Sequence, residues 1–144
     1  MRLSFLKKND LVILRSTISV GATKNKVLPI LEKMSGLKGG RDFNLSFAPE
    51  RVVEGNSLVE SKEIPQIIGG LTKTCTELTA KLFQRINPLS IVLDSLEESE
   101  MVKLLNNSYR DLSFAYSNQI AQLCCNLNID TTKVIKAANE GYPR

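Results

Sequence analysis

Three polar residues, Lys103, Asn107 and Arg110, recur at i, i+4 and i+7 in the stretch EMVKLLNNSYRD. If that stretch is helical, they share one line within about 60° of one another. A cation, an amide and a guanidinium so arranged suit a phosphate or a developing oxyanion. The same spacing also describes a solvated helix face, and spacing alone leaves both readings open. A second group stands in APERVVEGN, where Glu50 and Glu54 lie four positions apart and glycine follows. Paired acids in such a loop either keep a surface turn hydrated or face a ligand as acid–base groups. The third group is Arg15-Ser16-Thr17, directly after the apolar run Leu11-Val12-Ile13-Leu14. Hydroxyls beyond the carboxyl end of a parallel strand are well placed for a ligand, although turn-forming or capping hydroxyls are the commoner outcome.

Absent residues narrow the chemistry further. The 144 residues contain no histidine. That removes His-based nucleophile triads and the usual zinc ligand sets, and leaves proton work to Glu, Asp, Lys and Cys. The three cysteines, Cys75, Cys124 and Cys125, are odd in number and lack disulfide-framework spacing. The adjacent pair falls in a predicted helix, where neighbouring side chains point about 100° apart. Free, buried or partly buried thiols are therefore expected over a redox or metal role. No GxGxxG follows a strand, and the double glycines at 39–40 and 69–70 lack a phosphate-loop context.

The elements that must position these groups alternate between strand and helix. Leu11–Leu14 has the pattern of a strand buried on both faces, and KVLPILEKM has apolar residues at helical spacing, with Pro29 tolerable only in a first turn. Phe43, Leu45 and Phe47 alternate with polar residues, which predicts a half-buried strand. The spacing predicts a short strand at Ile64–Ile68 stopped by Gly69-Gly70. It also predicts an amphipathic helix with Leu71, Cys75, Leu78 and Leu82 near one face, and a buried-type strand at Ser90–Leu93. This alternation argues for a parallel α/β sheet. After Asp94 only helix signals remain. Ser95 and Glu98 form a capping box, helical periodicity runs to about Leu127 with Leu105, Tyr109, Leu112, Tyr116 and Leu123 on one stripe, and TTKVIKAANE follows an NID turn. A boundary between an α/β part (1–93) and a helical part (94–144) is expected.

Hydrophobic residues at 42% and charged residues at 24% are globular proportions. A net charge of +4 suits an anionic small molecule as well as nucleic acid and, without a basic run, selects neither; dispersed lysines and the lack of a recognised motif make a nucleic-acid-binding domain the weakest reading. No stretch approaches the ~18 consecutive apolar residues of a membrane span, and MRLSFLKKND has no signal-peptide core. The chain reads as soluble and cytoplasmic, without nucleic-acid or membrane partners.

Four stretches resemble the NAD-dependent nucleotide-sugar 6-dehydrogenases of the UDP-glucose and UDP-N-acetylhexosamine type. LVILRSTISVGAT is similar to the family's strand and S-T-x-x-x-G turn, FAPERVVEGNSLVE to its SPE loop, and IPQIIGG to the strand after it. ESEMVKLLNNSYRDLSFAYSNQIAQLC resembles the E-x-x-K-x-x-x-N helix that opens the central domain. The NSYRD and APER variants resemble the N-acetylmannosamine or N-acetylglucosamine branch. The resemblance implies an α/β fold: the second half of a Rossmann-like parallel-sheet NAD-binding domain, followed by helices of a central, dimerising domain. It implies NAD as cofactor, a UDP-sugar substrate, a homodimer in the intact protein, and oxidation of the sugar 6-hydroxyl to a carboxylate through an aldehyde and a cysteine thioester.

Carried over by motif, Ser16, Thr17 and Ile18 would border the nicotinamide, with Thr17 helping to hold a catalytic water. Glu50 would be the acid–base residue of hydrolysis and Glu54 a cofactor or substrate neighbour, with Arg51, Val52 and Val53 in the same substrate loop. Lys103 would stabilise oxyanionic intermediates, Asn107 would bind sugar or water, and Arg110 would contact substrate. The family's nucleophilic cysteine and its glycine-rich fingerprint fall outside the matching stretches. The chain is therefore expected to be an internal piece, inactive alone. The alternative is a non-catalytic module that associates through its long helix.

Overall fold

The computed structural model describes residues 6–51 and 64–141. They fall into two compact units, Met1–Leu105 and Asn106–Arg144. The first holds a four-stranded sheet in the order β1 (Leu11–Leu14), β2 (Asn44–Phe47), β3 (Gln66–Gly70), β4 (Ser90–Leu93). β1 pairs with β2 and β3 with β4 in parallel, whereas β2 and β3 run antiparallel, with Ser46 opposite Gly70 and Phe47 opposite Gly69. The parallel α/β sheet expected from the alternation is thus present as a mostly parallel one, with a single antiparallel pair in the middle. Alternation fixes the type of each element, but strand direction depends on the connection. Here the chain comes back beside itself, and Gln66 reaches the Pro49 carbonyl at 3.1 Å.

Between β1 and β2 a π-helical turn, Thr23–Val27, leads directly into α1 (Leu28–Ser35). Pro29 sits in the first turn of α1, as its chemistry requires. Proline also removes an N–H and crowds the carbonyl four residues back, and the π turn lies just before it, where both effects fall. Gly36 ends the helix in the left-handed region, φ 78°, with its N–H on the Glu32 carbonyl at 2.8 Å.

β2 is buried on both faces, not half-buried. Leu45, Ser46 and Phe47 are all fully covered. Ser46 tolerates this because its hydroxyl donates to the Cys75 carbonyl (3.1 Å) and accepts from Thr79 Oγ1 (2.8 Å) on α2 (Lys73–Phe83). The same pair of bonds decides which face of α2 turns inward. Cys75, Thr76, Thr79 and Phe83 are buried, while Leu78 and Leu82 of the expected stripe are exposed. β1 and β4 are less covered than continuous apolar runs suggested. β1 is half-buried along its length, and Ile91 and Val92 of β4 are exposed, because these two strands form the edges of the four-strand order.

Gly69-Gly70 does not stop β3 but completes it. Successive residues face opposite sides of a sheet. A Cβ at Gly70 would collide with Thr76 of α2, and one at Gly69 with the Ser95 carbonyl and Ser99 hydroxyl. The last two belong to the start of α3 (Leu96–Asn126), where the Ser95–Glu98 capping box is formed reciprocally: the Glu98 N–H donates to Ser95 Oγ (3.1 Å), and Glu98 Oε2 accepts from Asp94 and Ser95 N–H.

The second unit contains the remainder of α3 and α4 (Thr131–Asn139), the latter capped by Asp130, which accepts from the Thr132 and Lys133 N–H groups. Between them lies an apolar groove of about 610 Å³ lined by Leu112, Tyr116, Ile120, Val134 and Ile135. The stripe Leu105, Tyr109, Leu112, Tyr116 and Leu123 is exposed throughout. All three cysteines are free thiols. Among the described residues no helix is long and apolar enough to cross a membrane.

Candidate active site

Because β1 and β2 are parallel, the chain leaves both at the same edge of the sheet. The Ala48 N–H bonds the Leu14 carbonyl at 2.9 Å, and the Glu50 N–H bonds the Arg15 carbonyl at 3.1 Å. This zipped pair of strand ends presents Arg15 and Glu50 side by side, with Arg15 Nη2 2.6 Å from Glu50 Oε2. The other carboxylate oxygen accepts from the Arg51 N–H at 3.0 Å. The guanidinium is fixed in turn by Gln66 Oε1 at 3.3 Å and by the Phe83 ring, 5.0 Å from its carbon to the ring centroid. Lys103 on α3 donates its ammonium to the Glu50 backbone carbonyl. An oriented carboxylate and two cations thus share one rim, the pairing that general acid–base work and oxyanion stabilisation need.

Ser16 and Thr17 follow Arg15 and are exposed, and Ile18 is half-buried. Beyond them the chain is secured by Glu100. This fully buried carboxylate accepts from the Gly21 N–H at 2.5 Å and from the Thr23 N–H at 2.8 Å. One turn earlier on α3, Glu97 pairs with Lys24 at 3.4 Å.

The structure therefore brings Arg15, Glu50 and Lys103 together beside the Ser16–Thr17 segment. Asn107 and Arg110 belong to the second unit. There Asn107 is half-buried, and Arg110 is exposed with its Nε 3.6 Å from Asp111 Oδ1. Arg51 donates to the Pro65 carbonyl at 3.1 Å. Val52, Val53 and Glu54 lie outside the described residues. Sequence reasoning gave no role to Gln66, to Arg15 as the partner of Glu50, or to Glu100, the first residue of the E-x-x-K-x-x-x-N motif. The last had a signal: it stands three residues before Lys103, one helical turn away on the same helix.

The residues present fit one end of a dinucleotide. Exposed hydroxyls at the carboxyl edge of β1 suit the nicotinamide end. At the start of the following helical run, where N–H groups can cradle phosphate, the Thr23 N–H is engaged by Glu100, as is the Gly21 N–H just before the run.

Residues 3–87 match the NAD binding domain of the UDP-glucose/GDP-mannose dehydrogenase family, and residues 97–142 match that family's central domain. The chain is 36% identical to the UDP-N-acetyl-D-mannosamine dehydrogenase of Campylobacter jejuni, over 96% of its own length and 35% of that protein. It is 36% identical to the UDP-N-acetyl-D-glucosamine 6-dehydrogenase of Pseudomonas aeruginosa, over 92% and 32%. Among solved structures, that of a UDP-D-ManNAc dehydrogenase from Pyrococcus horikoshii superposes with a TM-score of 0.89 at 35% identity, covering 96% of this chain and 33% of that one. The chain spans about a third of the length of the curated relatives it matches. Its α/β unit is part of a Rossmann-like NAD-binding domain, and NAD is the cofactor of that domain. The chain belongs to the UDP-glucose/GDP-mannose dehydrogenase family.

Proposed function

We propose that these residues serve an NAD-dependent nucleotide-sugar 6-dehydrogenase that oxidises the 6-hydroxyl of a UDP-N-acetylhexosamine to a carboxylate. The observation that carries this reading is the convergence of Arg15, Glu50 and Lys103 on the edge where Ser16 and Thr17 leave β1. NAD, when bound, accepts the hydride. Ser16, Thr17 and Ile18 border its nicotinamide, and Thr17 helps to hold a water. The Lys103 ammonium offsets negative charge growing on the sugar oxygen, and Glu50 removes a proton from the water that releases the acid. Arg51, Val52, Val53 and Glu54 bind substrate. Asn107 and Arg110, farther along α3, contact the sugar nucleotide.

In this reading Cys75, Cys124 and Cys125 are not the thioester nucleophile, because none stands in the glycine-rich context of the family's nucleophilic cysteine. The cofactor domain ends at residue 93, and the central domain starts at 94. A second copy of the chain covers the groove between α3 and α4, making a homodimer. The cytoplasm, which holds nucleotide sugars and NAD together, is the working compartment.

The test is NADH formation by the gene product that carries this sequence, with UDP-N-acetylmannosamine, UDP-N-acetylglucosamine and UDP-glucose compared. Reduction that depends on an N-acetylhexosamine supports the reading. No reduction with any nucleotide sugar overturns it.

A further inference from the structure

Glu100 is the one carboxylate among the described residues that is fully buried, and the chemistry proposed above gives it no role. Its charge is balanced in an unusual way. The helical run from Thr23 to Ser35 begins at Ala22 with no side-chain cap of its own, so the unbonded N–H groups of its first turn need a partner from elsewhere. Glu100 supplies one from α3: one oxygen takes the Thr23 N–H of that turn, and the other takes the Gly21 N–H just before the cap. The positive end of the helical run faces the buried negative charge, which favours both. Gly21, at φ 81°, adopts the left-handed backbone that this turn uses.

This bond pair closes a circuit. The segment from Ser16 to Val20 is strung between two anchors. At one end the Arg15 carbonyl holds the Glu50 N–H, and the Glu50 carbonyl accepts from Lys103. At the other, Gly21 is held by Glu100. Lys103 and Glu100 are one turn apart on the same stiff helix, so both anchors end on α3. We propose that Glu100 is a positioning residue: its buried carboxylate fastens the turn after β1 to α3 and so sets where the Ser16 and Thr17 hydroxyls stand relative to the Lys103 ammonium. The catalytic part of this proposal rests on the function proposed above.

Two variants test it. E100Q keeps the size of the side chain but turns one acceptor into a donor facing an N–H, which breaks one of the two bonds. E100D keeps both acceptors and the charge, one methylene shorter. The first readout needs no substrate: amide hydrogen exchange of the whole chain. E100Q is expected to speed exchange at Gly21 and Thr23 by about tenfold or more while Leu71, bonded to Leu45 across the sheet, keeps its wild-type rate.

The second readout is turnover by the gene product carrying the sequence. E100Q is expected to lower kcat by about 100-fold with KM changed by no more than about twofold, and E100D to recover part of that loss. E100D, the milder change, carries both readouts if E100Q does not fold. Unchanged kcat in E100Q, unaltered exchange at Gly21 and Thr23, or equal loss of kcat, KM and melting temperature in both variants would overturn the proposal. If wild-type protein oxidises no nucleotide sugar, the functional reading fails instead, and the exchange pattern still decides whether Glu100 fastens the turn.

Discussion

The Arg15 guanidinium holds Glu50 Oε2 at 2.6 Å, while the Glu50 backbone N–H returns to the Arg15 carbonyl at 3.1 Å. The two residues are therefore tied twice, once through side chains and once through the parallel ladder. Both side chains are nearly half exposed, 40% and 49%. Solvent screens such a pair, so it adds little to stability, at most about 1 kcal/mol. Its effect is on direction: the carboxylate is aimed before any ligand arrives.

Lys103→Ala removes the ammonium from the rim without opening a core, since Lys103 is only half-buried. Sugar oxidation by the gene product carrying this sequence should fall by about 100- to 1,000-fold, with an unchanged circular dichroism spectrum. Wild-type NADH production in this variant would remove Lys103 from the mechanism.

Glu50→Gln keeps the shape but not the base. Release of the uronic acid should slow by about 100-fold, and the urea midpoint should barely move because the lost ion pair is exposed. Chromatographic separation of nucleotide sugar from acid measures this directly. Acid released at the normal rate would show that water is activated elsewhere.

Leu112 and Tyr116 are 68% exposed each and line the groove between α3 and α4. If a second copy covers that groove, Tyr116→Asp should halve the mass measured by light scattering, because burying a carboxylate against an apolar partner is costly. An unchanged mass would place the dimer contact elsewhere.

A pH effect follows from Asp42. Its carboxylate takes two bonds from the Arg41 guanidinium, at 2.7 and 3.3 Å, and one from the Lys38 N–H at 2.9 Å. The Arg41 bonds first, and the backbone bond second, lower its pKa from 3.8 to about 2. The folded state then binds fewer protons than the unfolded state in this range. The stabilisation is complete above about pH 4 and disappears as pH falls through about 2. The urea midpoint should drop across that window, and Asp42→Asn should flatten the drop.

Spacing alone places the candidate residues on their elements. Lys103, Asn107 and Arg110 fall on one helix, and Glu50 and Arg15 leave neighbouring strand ends, because apolar runs locate strands and their polar neighbours locate edges. What could not be read is pairwise. The antiparallel return of β3 brings Gln66 to Arg15, and nothing in a single strand's pattern records its direction. Ser46 and Thr79 are polar by type and internal by partnership, so an apolar-stripe argument sends Leu78 and Leu82 inward in place of Thr76 and Thr79. Glu100 is the same case in charged form: a carboxylate on a helix reads as solvent-facing until its two backbone donors are known.

The placement of α3, the helix that carries Lys103, leaves no room for a side chain at Gly69. The start of α3 rests on the bare α-carbon of Gly69, and two turns farther along the same helix Lys103 donates to the Glu50 carbonyl. A single methyl at position 69 would prop up the near end of that helix, and an α-helix is too stiff to absorb the lift before Lys103. Turnover would then respond to the thickness of the sheet at a remote point, a lever arm whose fulcrum is a hydrogen atom.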